Sequence, residues 1–306
     1  MTDILALATK AAEAWGGAIT APILLKHREN AVFRVTLHER TAALRLHRAG
    51  YQTKPAIEAE LKWVGALAER GFPCPAPLRS EDASFVVELP GGGLASAVSW
   101  IDATPLSDLA QPADMVAVGR LAAELHHLSD QLGLGRLDRS SWLATDILGP
   151  DPRWGCFWEH PMLSAEEADI LQTVATAARE ELAQRPKSEV GLIHADLLQE
   201  NIMANDAGLW LIDFDDGGLG YRPYDLGTAL IQHWQNPAFP EMAAALAEGY
   251  GAPDLARDLP FFTMLRGLVS AGWIISRAPT DDPRQRQYAE RAVQMARTWL
   301  TGRSGA

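Results

Sequence analysis

Residues 194–201 read HADLLQEN, which places a histidine, two acids, a glutamine and an asparagine in eight consecutive positions. The short segments on either side, Gly191-Leu192-Ile193 and Ile202-Met203, are apolar. Two interpretations fit this pattern: a polar turn between two strands, or a loop that carries the chemistry of an active site. The second interpretation makes Asp196 and Asn201 the residues whose function has to be explained.

The spacing His-x-Asp-x-x-x-x-Asn is the catalytic-loop pattern of protein kinases. In such a loop the aspartate aligns an attacking hydroxyl group and accepts its proton, and the asparagine binds a metal ion through its amide oxygen. Asp196 and Asn201 stand at these two positions. Three matching residues in eight also occur by chance, so the octet alone leaves the polar turn open.

A second acidic loop follows the apolar pattern LWLI, where residues 209–216 read LWLIDFDD. An acid at the end of a strand, where a hairpin returns to the first loop, supplies a second magnesium ligand in kinases. Asn201 and Asp213 together offer the oxygen atoms that hard cations prefer. A turn-forming acid is the plain alternative for Asp213. Asp215 is either a further metal ligand or a solvated acid.

The first hundred residues mix strand patterns with one helix, and the residues after about 103 are mostly helical. The strand patterns are VFRVTL, TAALRLHR, SFVVEL and LASAVSWI, and the helix is KPAIEAELKWVGALAERG. His38-Glu39-Arg40 is a predicted turn between the first two strands. We therefore predict an α+β fold with a small antiparallel-sheet lobe, helix and hinge in residues 1–103. Residues 104–306 are expected to form a larger helical lobe with the catalytic and metal-binding loops and an acceptor pocket.

Arg45 lies in the middle of the strand pattern TAALRLHR, where alternation puts Ala43, Arg45 and His47 on one face. In protein kinases this strand carries a lysine that pairs with a glutamate on the next helix. Glu60 is the natural partner here. An arginine keeps the positive charge and binds phosphate oxygens with a planar fork. The alternative is a surface arginine on an edge strand.

The segment KHRENAVF, residues 26–33, precedes the first of these strand patterns and contains no glycine. A loop that covers phosphates at this place would have to use its backbone amides and Asn30. The chain contains no Walker-type phosphate loop, which excludes the P-loop folds.

The chain carries 27 basic and 39 acidic side chains, a net charge of −12, which disfavours a nucleic-acid-binding surface. A nucleotide ligand is compatible with this charge, because a metal ion and a few local cations can hold its phosphates. Two cysteines without a short spacing exclude a disulfide framework and a cysteine-based zinc site. The first residues lack the positive charge of a signal peptide, and no apolar run is long enough to span a bilayer. We expect a cytoplasmic protein that binds neither nucleic acid nor membrane, with its oligomeric state left open.

Taken together, these segments resemble the aminoglycoside phosphotransferase and choline kinase family, which has a protein-kinase-like fold. The resemblance covers nearly the whole chain and depends on ENAVFRV, AALRLHR, EAELKWVGAL, VGRLAAELH, LIHADLLQENIM and LIDFDDGGLGYRPYDLGTAL. Arg45 in place of the usual lysine, and the glycine-free loop at Glu29-Asn30, are similar to one subgroup. That subgroup includes the bacterial stress-response Ser/Thr kinase and homoserine-kinase-like proteins.

The resemblance implies a role for each matching residue. Asp196 would be the catalytic base or the aligning carboxylate, and Asn201 and Asp213 would hold Mg²⁺. Arg45 would contact the phosphates of ATP with Glu60 bracing it. The further nucleotide contacts would come from Asn30 in the loop and from Trp100 and Ile101 in a hinge over Val98–Asp102. His194 would be a structural residue of the loop, and Asp225 would be structural as well, capping the helix that follows it.

The acceptor pocket of the family is walled by regions that here contain tryptophans, namely Trp142, Trp154, Trp158, Trp234 and Trp273. Packing in the core is the plainer interpretation of these rings. Asp151, Glu159 and Asp216 are candidate anchors for a cationic acceptor.

The predicted function is ATP- and Mg²⁺-dependent transfer of the γ-phosphoryl group to a hydroxyl of a small molecule. The acceptor would be aminoglycoside-, choline- or homoserine-like. Two alternatives stay open: a protein Ser/Thr kinase of the stress-response type, and a regulator that binds nucleotide without turnover.

Overall fold

The computed structural model describes residues 4–27, 30–38, 40–106, 111–135 and 137–304. The chain forms two compact units. Unit 1 contains Met1–Pro105, Gln131–Arg139 and Met203–Asp215, and unit 2 contains Leu106–Asp130, Ser140–Ile202 and Asp216–Ala306. The assignment of residues 1–103 and 104–306 to two functional lobes stays a prediction.

The main sheet of unit 1 has six strands in the order β1-β2-β3-β6-β4, with β5 also pairing with β6. Its strands are β1 (Ile23–His27), β2 (Ala31–Thr36), β3 (Thr41–His47), β4 (Pro77–Leu78), β5 (Val86–Glu88) and β6 (Leu94–Ser99). In β3 the alternate residues from Ala42 onward are buried, whereas Ala43, Arg45 and His47 are partly exposed on the other face, as predicted. The register places Arg45 opposite Val32 in β2 and Ser96 in β6. The pairing of β3 with β2 and β6 therefore fixes the position along the sheet from which the Arg45 side chain projects.

A smaller sheet joins β7 (Thr104–Pro105), β10 (Ile202–Asn205) and β11 (Gly208–Leu211) in the order β11-β10-β7. β11 contains the apolar part of the second acidic loop, so Asp213 follows two residues after the strand ends. The predicted strand before Asp213 is confirmed.

Two helices belong to unit 1, α1 (Ile4–Ala12) and α2 (Lys54–Glu69). The Thr53 side chain accepts a hydrogen bond from Ala56 N at the start of α2, and Gly71 takes a φ of 86° beyond its end. The prediction of a single helix in this part of the chain was wrong, because α1 is short and presents mainly alanines to the core. Such a helix is stabilised by packing, here on the core that includes Phe33 and Leu44, and has weak periodicity in the sequence.

Unit 2 is mainly helical. Its helices are α3 (Pro112–Leu132), α4 (Ala144–Leu148), α5 (Ala165–Ala183), α6 (Arg222–Leu230), α7 (Phe239–Tyr250), α8 (Leu259–Ile275) and α9 (Pro283–Ser304). A capping box opens α5, since Ser164 and Glu167 bond reciprocally. The last part of the chain is divided into the three helices α7, α8 and α9. In the described ranges, every helix is too short or too polar to cross a bilayer.

A three-stranded sheet of unit 2 carries the polar octet. Its strands are β8 (Ser141–Trp142), β9 (Val190–Ile193) and β12 (Gly218–Tyr221), in the order β8-β12-β9. β12 and β9 are antiparallel, with Gly218 opposite Ile193. A Cβ on Gly220 would lie 2.5 Å from the Ile193 Cδ1, so glycine at this position lets the two strands pack closely. The octet begins where β9 ends, and its start is therefore fixed by this sheet.

Candidate active site

The octet forms a loop that is anchored by a buried aspartate. His194 is buried, and Ala195 has a φ of 67°, a conformation that non-glycine residues rarely adopt. The Asp225 carboxylate accepts hydrogen bonds from the backbone amides of His194 at 2.8 Å and Ala195 at 2.6 Å. These two bonds hold the loop in its unusual conformation and so determine where Asp196 is placed.

The predicted role of Asp225 as a cap of the following helix was wrong. Asp225 lies within the first turn of α6, and Tyr221 is the residue before the helix. The carboxylate is fully buried and also bonds to His126 Nε2 at 3.0 Å, whose Nδ1 lies 2.9 Å from the Tyr250 hydroxyl. Through these bonds to residues that are distant in the sequence, the Asp225 side chain connects α6, α3 and the octet loop.

Both carboxylate oxygens of Asp196 are oriented. The side-chain amide of Asn201 donates to Asp196 Oδ2 at 2.9 Å and to the Asp196 carbonyl oxygen at 2.9 Å. Arg266 Nη2 donates to Asp196 Oδ1 at 2.6 Å. The amide nitrogen of Asn201 is thus engaged in hydrogen bonds to Asp196, and its amide oxygen is the atom that suits a metal ion.

Arg266 was not predicted as a functional residue. It lies in the middle of α8, on a helix whose other central residues are apolar, and its side chain is 13% exposed. Burial acts to lower the pKa of Arg266, but the charges of Asp196 and Asp216 together with Tyr224 raise it above its ordinary value. The sequence contained one signal, a single arginine in a long apolar segment, because a buried charge requires a partner.

In unit 1, Arg45 is the centre of a second charged cluster. Its Nη1 lies 3.3 Å from Glu60 Oε1, and its Nη2 lies 3.2 Å from Asp213 Oδ1. The Asp215 carboxylate is 3.6 Å away. Burial acts to lower the pKa of Arg45, yet the three carboxylates, Asp213 first, raise it above its ordinary value. The contact between Arg45 and Glu60 that sequence order indicated is present, and the edge-strand alternative does not apply because β3 is an inner strand.

Arg139 completes this cluster and was missed in the sequence. Its Nη1 lies 3.0 Å from Glu60 Oε2 and 2.8 Å from the Ala56 carbonyl oxygen, and its Nη2 donates to the Asp215 carbonyl oxygen. Glu60 is only 3% exposed and therefore needs both arginines as partners. Nothing in the spacing of Arg139 relative to α2 could have shown this contact, since the two are about 80 residues apart.

Asp215 is buried, which excludes its interpretation as a solvated acid. Its interpretation as a further metal ligand stays a prediction. Its Oδ2 accepts a hydrogen bond from Asn30 Nδ2 at 2.8 Å. Burial raises the pKa of Asp215 to about 6, against the opposing charge of Arg45. Asn30 also accepts a bond from the Arg48 amide at 3.1 Å, so the predicted nucleotide-contacting residue bridges two segments of unit 1. Arg28 and Glu29 of the same loop, and Glu39 of the predicted turn, lie outside the described residues.

Trp100 and Ile101, the predicted hinge residues, directly follow β6 and are half-buried. The Trp100 amide donates to the Thr41 carbonyl oxygen at 3.3 Å, and Arg34 lies 4.9 Å from the centre of its ring. Contacts of these two residues with a nucleotide stay a prediction.

The donor atoms suit a divalent cation such as Mg²⁺. In the described part of the chain, no three His, Cys, Asp or Glu side chains form a complete metal cage. Mg²⁺ does not require one, because it keeps several waters and takes the rest of its ligands from one or two carboxylates and the substrate phosphates. Asp213, with a φ of 65°, and Asp215, whose buried Oδ1 has no hydrogen bond among the described residues, supply carboxylate oxygens. The amide oxygen of Asn201, in unit 2, is also a suitable ligand, and binding of one ion by Asn201 and Asp213 together stays a prediction.

The tryptophans proposed as acceptor walls divide into two groups. Trp142 and Trp154 are buried with ring centres 5.6 Å apart, and the indole of Trp142 donates to the Asp216 carbonyl oxygen at 2.8 Å. Packing in the core therefore accounts for these two rings. The remaining three, Trp158, Trp234 and Trp273, are half-buried, and the suggested anchors Asp151 and Glu159 are exposed.

His47 gives unit 1 a predictable pH dependence. Burial, followed by the charges of Arg45 and Arg139, lowers the pKa of His47 to about 3. An unfolded histidine titrates near 6.5, so the stabilisation from the neutral ring is complete above pH 6.5 and is lost as the pH falls towards 3. Lowering the pH from 7 to 5 should remove up to about 2 kcal/mol of unfolding free energy through this group, less where solvent reaches the half-buried ring. Urea unfolding of wild type and His47→Gln at both pH values measures this, and an equal pH dependence of the two proteins would contradict it.

Comparisons with known proteins define the class. The model of the phosphotransferase enzyme family matches residues 22–261 of the 306. The chain therefore belongs to the phosphotransferase enzyme family. The family resemblance predicted from the sequence and the predicted class of enzyme, a phosphotransferase, are both confirmed.

A homoserine kinase of Methylobacillus glycogenes is 30% identical over 167 residues, which are 54% of this chain and 48% of that protein. The chain spans about half to two thirds of the length of the curated relatives it matches. The structure of a microcompartment-associated aminopropanol kinase superposes with a TM-score of 0.84 at 26% identity, covering 97% of this chain and 98% of that one. An amicoumacin kinase bound to AMP-PNP and Ca²⁺ has a TM-score of 0.78 at 18% identity, covering 96% and 94%. These structures confirm the predicted α+β, protein-kinase-like fold.

Proposed function

We propose that the protein transfers the γ-phosphoryl group of ATP to a hydroxyl group of a small molecule, with Asp196 as the catalytic base. The observation that carries the proposal is the geometry of Asp196, whose two carboxylate oxygens are oriented by Asn201 and Arg266. Its backbone is fixed by the bonds of the octet loop to Asp225. Phosphoryl transfer needs positioning more than covalent chemistry, and a fixed carboxylate provides it.

In the proposed reaction the hydroxyl oxygen forms a bond to the γ-phosphorus while the bond from that phosphorus to the β–γ bridging oxygen breaks. The hydroxyl proton goes to Asp196, and ADP leaves with the bridging oxygen. Arg45, held by Glu60 and Asp213, is the proposed cation for the nucleotide phosphates. Asn30, Trp100 and Ile101 are the proposed further nucleotide contacts. Asn201 and Asp213 are the proposed ligands of Mg²⁺, which when bound neutralises phosphate charge.

Three similar proteins support parts of this proposal. The homoserine and aminopropanol kinases indicate small alcohols as acceptors, and the amicoumacin kinase complex indicates a nucleotide and a divalent cation. ATP, Mg²⁺ and a cytoplasmic location are our own proposals within that class.

The proposal is tested by incubating the purified protein with ATP, Mg²⁺ and a panel of hydroxyl compounds, and measuring ADP release. The panel contains amino alcohols, hydroxy amino acids and aminoglycosides. We expect acceptor-dependent ADP release with at least one of them. Transfer of labelled phosphate to the protein itself, without turnover of any small molecule, would instead favour the protein-kinase alternative. Binding of ATP without either reaction would favour the regulator.

Replacing Asp213 with asparagine should raise the Mg²⁺ concentration for half-maximal activity by at least about 10-fold, because a charged ligand becomes neutral. Calorimetric titration of Mg²⁺ into the protein with bound ADP measures the same loss without turnover. Asp206→Asn, in the exposed turn of the same hairpin, is the matched control and should leave both values at those of the wild type. Unchanged Mg²⁺ affinity in the Asp213 variant would remove this residue from the metal site.

A further inference from the structure

We propose that Arg266 and Arg291 form a subsite for an anionic group on the acceptor, so that the acceptor is a hydroxy acid and not a simple amino alcohol. The inference rests on the proposed function, since it places the subsite beside the carboxylate that would activate the acceptor hydroxyl. All the side chains that carry it belong to unit 2.

The packing of α8 against α9 brings the two arginines to the same region. Three contacts give the antiparallel register of these helices: Phe261 with Trp299, Gly267 with Met295, and Ile274 with Gln285. At Gly267 the approach is so close that a Cβ would lie 2.6 Å from the Met295 Sδ. Arg266 is adjacent to this point, and Arg291 is one helical turn before Met295. Arg291 therefore lies at about the level of the turn that follows Arg266 on α8.

Arg291, on α9, is a partly buried cation. In the described part of the chain its guanidinium has no carboxylate within ion-pair distance, and its buried Nε has no hydrogen-bond partner. The contact that the structure shows is with the ring of Tyr288 on the same helix, whose centre is 4.5 Å from the guanidinium carbon. Burial lowers the pKa of Arg291, and the charge of Arg266 lowers it further. A partly buried cation without an anion costs stability, and an anionic ligand bound at Arg266 and Arg291 would offset this cost.

Arg266 can serve Asp196 and a ligand at the same time. Its Nη2 donates to Asp196, whereas its Nε is buried and has no hydrogen-bond partner among the described residues. A guanidinium has five N–H donors in a fixed fork, which is the geometry that carboxylates and phosphates match. An acceptor whose anionic group binds Arg266 and Arg291 would therefore be held next to Asp196.

The test compares three pairs of acceptors that differ by one carboxylate. The pairs are homoserine with 3-aminopropan-1-ol, serine with 2-aminoethanol, and threonine with 1-aminopropan-2-ol. We expect the acid in at least one pair to exceed its amine in kcat/KM by about 10- to 100-fold, the value of a charge-assisted hydrogen bond. In Arg291→Gln this ratio should fall to near 1. Arg286→Gln, an exposed position on the same helix, is the control and should keep the wild-type ratio.

A binding measurement that does not need turnover separates the two proposals. In the absence of nucleotide, homoserine should raise the melting temperature of the wild type more than 3-aminopropan-1-ol does, and Arg291→Gln should abolish the difference. The variant itself should melt no lower than the wild type, because it removes a partly buried charge that has no carboxylate partner among the described residues.

Turnover of alcohols with no preference for the acids would overturn the anionic subsite and leave the phosphotransferase proposal standing. A melting shift specific to the acids, with no ADP release from any alcohol, would support the subsite and overturn the proposed reaction. Equal shifts in wild type and Arg291→Gln would overturn the subsite as well.

Discussion

Replacing Asp196 with asparagine should lower kcat by about 10²- to 10⁴-fold, the usual contribution of a positioned general base. Asparagine keeps the shape of the side chain and removes the oxygen that accepts the hydroxyl proton. The affinity for ATP should stay close to that of the wild type, since Arg45 and its carboxylate partners are untouched. Steady-state kinetics on the best acceptor of the panel gives kcat, and calorimetry with ADP gives the nucleotide affinity.

The Asp196→Asn protein must be folded for its lowered kcat to be informative. The Asp196 side chain is 24% exposed, and asparagine keeps a side-chain oxygen that can accept the hydrogen bond from Arg266. We therefore expect only a modest fall in melting temperature. Asp254→Asn changes an exposed carboxylate in the same unit and serves as the matched control for charge. A folded Asp196→Asn protein with more than half of the wild-type kcat would remove Asp196 from the chemical step and with it the proposed mechanism.

The part of the site that the sequence predicts is the part that local patterns encode. The alternation of β3 is a period of two residues, and the start and end of α2 are marked by Pro55 and Gly71. Together they place Arg45 and Glu60 in the right order, and the structure shows them in contact. The octet and the acid after β11 are short motifs that can be read without any tertiary information.

The residues that the sequence does not predict depend on contacts between distant segments. Arg139 reaches Glu60 and Arg266 reaches Asp196 only because the chain folds them together, and neither arginine belongs to a motif. Asp225 was placed in a motif but given the wrong partner, since a helix-capping role is local and its bonds to the octet loop are not. In each of these three cases a charged side chain is buried, and the sequence shows the charge without showing what neutralises it.

Replacing Asp225 with alanine should lower the free energy of unfolding by about 3–5 kcal/mol, the largest effect on stability that we expect from a single side chain here. The substitution leaves three buried donors without an acceptor: the amides of His194 and Ala195, and the ring of His126. Each such donor costs free energy, because no water replaces the lost partner in a fully buried position. The 67° φ of Ala195 would also lose the bond that holds it.

The conservative variant Asp225→Asn shows whether the stability depends on the charge of this side chain or on the number of its acceptor oxygens. Asp225→Asn keeps one acceptor oxygen and should cost about 1–3 kcal/mol, less than alanine. Urea unfolding monitored by circular dichroism measures both values, with Asp169→Ala on the exposed face of α5 as a control that should stay within about 0.5 kcal/mol of the wild type. If Asp225→Ala unfolded at the same urea concentration as this control, the octet loop would not depend on Asp225. The fixed position of Asp196 would then need another cause.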